Sequence, residues 1–264
     1  MVICPDFSLF WFDFCIPRPG KLLPNHPVNS IVEMIKIGGF NVKDALKRRP
    51  GMKIGVFFAV TLMLSGCMGQ DPVDSLHQSL EKAAESEKPF LEEQKTLKEL
   101  EAKENQLYDD VMTLNMDDYK KIAALSNEAL ENISKREEHV KIENDSIKKS
   151  ESAFEEAKTS AQHIKDKHIK EKADAAASQM EKRYSSYDSL YEEYNKALQL
   201  DKKLYMQLKD KSLTRDALDQ QIDKVNASYK KVLKYSGEFN EQTEKYNEAR
   251  EDLYDAAGYQ VKKS

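Results

Sequence analysis

Residues 218–257 read LDQQIDKVNASYKKVLKYSGEFNEQTEKYNEAREDLYDAA. Along this stretch Leu218, Ile222, Val225, Tyr229, Val232, Ser236, Phe239, Thr243, Tyr246, Arg250, Leu253 and Ala257 recur at alternating steps of four and three. That spacing sets every one of them on one side of an α-helix. A repeat of this kind, held for forty residues, is a seam for packing against other helices.

The same pattern extends backwards. A stretch from about Ala173 to Leu208 carries Ala176, Met180, Tyr187, Leu190, Tyr194, Ala197, Leu204 and Leu208. Another, from about Asp118 to Ala161, carries Tyr119, Ile122, Ala129, Ile133, Val140, Ile147, Phe154 and Ala161. The first begins after Asp71, which suits a helix cap, and Pro72, which suits the first helical position. It continues through Leu76, Leu80, Ala83, Phe90, Leu97, Leu100, Leu107, Val111 and Leu114, with Pro89 as an interruption, and Asn115 and Asp117 mark the turn that follows. Neither glycine nor proline occurs from Phe90 to Ser236, so the two strongest helix breakers are missing there. Each stretch is about 60 Å long as a helix.

Between Ala161 and Ala173 the seam slips: one continued register lands on His168 and Glu171, while Ile169 and Ala173 carry the apolar pattern. A tight turn gives four long antiparallel helices; a stutter gives three, with one continuous central helix. Either way the expected fold is all-α, an elongated antiparallel up-and-down helical bundle over residues 72–264.

The N-terminal part is of another kind. Residues 1–66 hold six of the eight prolines, the one tryptophan, seven of ten phenylalanines and two of three cysteines. All twelve tyrosines follow Gly66. Beyond residue 66 there are 33 basic and 42 acidic residues, a net charge of −9, which argues against general nucleic-acid binding. One cysteine after the divide, Cys67, excludes an intrachain disulfide there, so the bundle rests on its core.

Lys47, Arg48, Arg49 and Lys53 precede the apolar run IGVFFAVTLML, residues 54–64, and then come Ser65, Gly66 and Cys67. Cations, about ten apolar residues and small residues at a cut site describe a secretory signal. Eleven residues rise roughly 16 Å, half a bilayer core. Leu64-Ser65-Gly66-Cys67 resembles the lipobox of bacterial lipoproteins, which implies a diacylglyceryl group on the Cys67 sulfur and cleavage between Gly66 and Cys67. Two acyl chains, such as palmitate, give a gross transfer term on the order of 20 kcal/mol. The expected organisation is residues 1–51 as a non-native extension with translation beginning at Met52, residues 52–66 as the signal peptide, and residues 67–71 as a lipidated spacer.

Several side-chain groups carry two readings. Tyr184, Tyr187, Tyr191 and Tyr194 form a stripe at helical spacing, suited either to stacking on wall glycan or a partner, or to filling the bundle core. Lys165, Lys167, Lys170 and Lys172, with His163 and His168, are the main basic patch of an acidic body. If a turn lies there, the patch returns to the lipidated end and faces anionic headgroups, at roughly 1 kcal/mol per lysine; otherwise it is a solvated turn. His163 and His168 are five apart and diverge on a straight helix, so no metal site is read from them. The Asn132, Asn144 and Asn226 glycosylation-type triplets are read as chance. No nucleophile, zinc, P-loop or dinucleotide motif is present, and the acidic residues are read as nearly all solvated, so neither an enzyme nor a cofactor is expected.

With Cys67 in its lipobox, LEAKENQLYDD (residues 100–110) and ISKREEHV (residues 133–140), residues 52–264 resemble the cell-wall-binding lipoprotein family of Gram-positive bacteria. The resemblance implies a helical bundle on the outer face of the cytoplasmic membrane, facing the wall, and transfers no catalytic or ligand residues. It leaves two functions open: wall binding, or a scaffold for another membrane or secreted protein.

Overall fold

Asp71 opens the first helix by accepting a 2.8 Å hydrogen bond from the Val73 N–H. The computed structural model describes residues 71–259; residues 1–51, the signal at 52–66 and Cys67 lie outside them. The described helices are α1 (Pro72–Ser86), α2 (Lys88–Met112), α3 (Tyr119–Gln162), α4 (Lys167–Leu208) and α5 (Arg215–Ala256), with a 3-10 turn at Met116–Asp118. No strand occurs among the described residues. α1 and α2 stack end to end as one column, so the fold is a four-column, up-and-down bundle. α3 packs on that column and on α4, and α4 and α5 form the most extensive pair.

The break between α1 and α2 follows from Pro89, which has no N–H to donate into the helix ladder. A side chain from the neighbouring column fills the gap. Ser146 of α3 donates to the Ser86 carbonyl at 2.7 Å and accepts from the Phe90 N–H at 3.2 Å, standing between two groups that would otherwise bond directly. The seam crosses this break without losing register: Leu76, Leu80, Ala83, Glu87, Phe90, Gln94, Leu97, Glu101, Glu104, Tyr108 and Val111 continue the steps of four and three.

The slip after Ala161 is a turn. His163 ends α3, and Asp166 caps α4 by accepting from His168 N–H at 2.8 Å and Ile169 N–H at 3.0 Å. An aspartate thus does what the missing glycine, proline or asparagine would have signalled. Ile164 is buried and plugs the base of the core. α5 ends at Gly258, whose φ of 78° lets the chain reverse. The Tyr259 N–H then bonds the Tyr254 carbonyl at 2.9 Å and the Gly258 N–H that of Asp255 at 3.2 Å, a Schellman ending.

Connectivity sets the two ends. The start of α1, the α3–α4 turn and the end of α5 share one end, here called proximal. Lys172 bonds Asp252 at 2.6 Å, Tyr259 donates to Asp74 at 2.6 Å and His77 stacks on Tyr259 at 4.4 Å. The α2–α3 and α4–α5 loops share the distal end, joined by Tyr119, whose hydroxyl donates to the Lys209 carbonyl at 2.7 Å. Phe90, Tyr187 and Phe239 interlock in the proximal core, and Leu107, Ile133, Leu198, Leu204 and Tyr205 fill the distal one.

Candidate functional site

Polar residues on the seams meet at two levels. At the proximal level Arg183 of α4 is held by Glu87, both N–H to oxygen distances being 2.7 Å. Its Nε donates to Thr243 of α5 at 3.0 Å, and Ser150 of α3 donates to Glu87 at 2.8 Å and pairs with Tyr184 at the same distance. Arg183 also lies over the Phe239 ring, 4.9 Å from its centre. Both charges are buried, and a planar guanidinium matched bidentately to a carboxylate is the pairing that survives burial.

At the distal level Arg136 of α3 is fully enclosed. It donates to the hydroxyls of Tyr194 at 2.7 Å and Tyr229 at 3.0 Å, and it pairs with Glu104. Each tyrosine passes the interaction on: Tyr194 donates to Glu101 at 2.5 Å and Tyr229 to Asp201 at 2.5 Å. Burial pushes the Glu104 carboxyl up against the pull of Arg136, and burial first, then the Glu104 charge, pushes Asp201 up to about 8. Between the levels Glu143, bonded by Gln94, is also raised well above the carboxylate range, by burial and then by Glu101.

Five acids stand apart from the solvated majority: Glu87, Glu104, Glu143, Glu193 and Asp201 are buried. The missed signal was register. Glu87, Glu104, Arg136, Glu143, Arg183 and Asp201 all sit where the four-and-three steps call for an apolar residue.

The tyrosine stripe divides. Tyr184 and Tyr187 are each 3% exposed, with Tyr184 edge-on to Phe154 and Tyr187 edge-on to Phe90. Their rings are committed to the core, and no ligand stacks on them in the closed bundle. Tyr194 keeps a partly open ring but spends its hydroxyl on Arg136 and Glu101. Tyr191, half-buried and stacked on Tyr187 at 6.4 Å, is the member left with an accessible flank and no internal hydroxyl bond of its own to keep.

The lysine patch lies at the proximal end. Lys165 and Lys167 are exposed. Lys170 pairs with Asp174 at 3.0 Å and Lys172 with Asp252, so half of the patch is already engaged by carboxylates. His163 and His168 are exposed on opposite sides of the turn, and no group of three or more His, Cys, Asp or Glu residues is placed to hold a metal ion among the described residues. No described helix is long and apolar enough to cross a membrane.

A family model described as "Putative cell-wall binding lipoprotein" matches residues 71–256, from the first cap to the end of α5. The chain belongs to that family, the YkyA family. It is 82% identical over 223 residues to a protein of Bacillus subtilis (strain 168) called "Uncharacterized lipoprotein YkyA", covering 84% of this chain and 100% of the relative. It also resembles the crystal structure of a conserved protein of unknown function from Staphylococcus aureus, with a TM-score of 0.53 and 19% identity over 69% of this chain and 91% of that one. That likeness shows the fold alone. Family members are thus lipoproteins by description, built here as an all-α bundle.

Proposed function

We propose that the protein is a non-enzymatic envelope lipoprotein. It is held at the outer face of the cytoplasmic membrane by a diacylglyceryl group on Cys67, after the signal at 52–66 is cut between Gly66 and Cys67. The observation that carries this reading is where the chain enters the bundle. Asp71 stands four residues after Cys67, and α1 starts at the end that also carries the α3–α4 turn. A four-residue spacer reaches about 14 Å when extended, so lipidation brings Lys165 and Lys167 to the headgroups and points the α2–α3 and α4–α5 loops about 60 Å away from the membrane, toward the wall.

Contact with wall polymer then falls to the outer faces of the bundle, with Tyr191 as the ring offered to a sugar. The test is sedimentation with purified wall sacculi stripped of protein. Cosedimentation that Tyr191→Ala weakens and Tyr184→Phe leaves intact supports wall binding. No cosedimentation, together with a crosslinked protein neighbour in intact cells, replaces it with a scaffold. One observation favours that second reading: Met112, Met116 and Met206, at 41%, 57% and 64% exposure, lie on the last turns and loop of the distal end. Exposed methionines are adaptable protein-docking side chains.

A further inference from the structure

The two buried polar levels differ in charge balance. At the proximal level one guanidinium, Arg183, meets one carboxylate, Glu87. At the distal level one guanidinium, Arg136, faces three carboxyls: Glu104, Glu101 at 3.6 Å and Asp201 at 3.7 Å. Among the described residues, Arg136 is the cation paired with these carboxyls. Around it stand Glu101, Glu104 and Tyr108 from α2, Arg136 and Asn132 from α3, Tyr194, Asp201 and Tyr205 from α4, and Tyr229 from α5. The tyrosines donate to Glu101 and Asp201 without adding charge. Glu101 is partly exposed, but Glu104 and Asp201 are buried, so ionising both against the one guanidinium leaves an uncompensated negative charge in the core, and burial of such a charge favours taking up a proton. Arg136 Nη1 lies against both Glu104 and Asp201, the latter at 3.7 Å, so these two buried carboxyls share one cation.

We propose that the distal level is a proton-binding site: Glu104 and Asp201 hold one proton between them beside Arg136, and its release to water loosens the distal half of the bundle while the balanced proximal level stays closed. The sign follows from linkage. Asp201, pushed up to about 8 in the fold from about 3.9 in an unfolded chain, binds more proton folded than unfolded. Its contribution is complete below the unfolded value and is lost as pH rises through the folded one. The affected region is the meeting of α2, α3, α4 and α5 between that level and the two distal loops, where a protein partner or wall polymer would first arrive.

The test uses the full chain and two readouts. Infrared spectra of Glu143→Gln, which lacks the other raised carboxyl, across the range from about pH 5 to 10 are expected to keep a protonated-carboxyl band above pH 6 that vanishes near pH 8. Hydrogen exchange at about pH 6 and 9, corrected for intrinsic rates, is expected to lose at least tenfold protection in residues 98–136 and 198–229 relative to residues 76–90 and 147–187. Adding Asp201→Asn to Glu143→Gln is expected to abolish that band, and Asp201→Asn alone to abolish the exchange contrast, which Glu143→Gln alone leaves in place. A band lost below pH 6, equal loss of protection in both halves, or an unchanged contrast in Asp201→Asn overturns the proposal. If Asp201→Asn does not fold, the band of Glu143→Gln decides.

Discussion

Replacing Arg183 with methionine removes the cation from a pair in which both partners are almost wholly enclosed, with side-chain exposures of 3% and 2%. Glu87 keeps the Ser150 hydroxyl as a donor and loses both guanidinium bonds, so a carboxylate is stranded in the core. Breaking one side of a buried pair costs about 3–5 kcal/mol, most of it the stranded charge. Converting Glu87 to methionine as well removes that charge. Thr243 still donates to the Phe239 carbonyl at 2.8 Å, and Ser150 still has the Tyr184 hydroxyl, so no new polar group is orphaned. The double variant is expected within about 1 kcal/mol of the wild type, or above it. The assay is urea unfolding followed by far-ultraviolet circular dichroism, analysed as a double-mutant cycle. A single substitution costing under 1 kcal/mol, or a double variant whose loss is the sum of the two singles, would refute the argument that burial of a matched pair governs this level.

Other outcomes follow from the same packing. Gly237 lies mid-helix in α5 with nothing within 4 Å of an added Cβ, so Gly237→Ala is expected to raise stability by about 0.5–1 kcal/mol in the same unfolding assay. Asp166→Ala removes both cap bonds of α4 and is expected to cost about 1 kcal/mol, with faster amide exchange confined to the first turn of α4. Phe239, fully enclosed between Phe90 and Tyr187, is expected to cost about 3–5 kcal/mol when cut to alanine, read from the urea midpoint.

How far the sequence could be read is set by what a periodic pattern contains. Steps of four and three locate a buried side, and they found every column because Leu, Ile, Val and Ala mark it densely. They also ran through Glu87, Glu104, Arg136, Arg183 and Asp201, and a charge at a seam position looks the same from one helix whether it is an irregularity or half of a pair. Only the meeting of four columns at one height shows that Arg183 faces Glu87, 96 residues away. The sequence leaves the turn at 163–166 open beside a stutter, since its local signal is a lone Asp166 that reads as one more surface acid until its oxygen is seen on two N–H groups. Tyr184 and Tyr187 sit on the same stripe as Tyr191, and ring chemistry suits a core and a sugar alike. The position of each ring against Phe90 and Phe154 separates them.

Accurate mass of the mature protein released from membranes tests the central claim most directly. The account predicts a chain that begins at Cys67 and carries a thioether-linked diacylglyceryl group, and a Cys67→Ser variant that leaves the membrane fraction. A mature chain with an unmodified thiol at position 67, or a serine variant still retained on membranes, contradicts it.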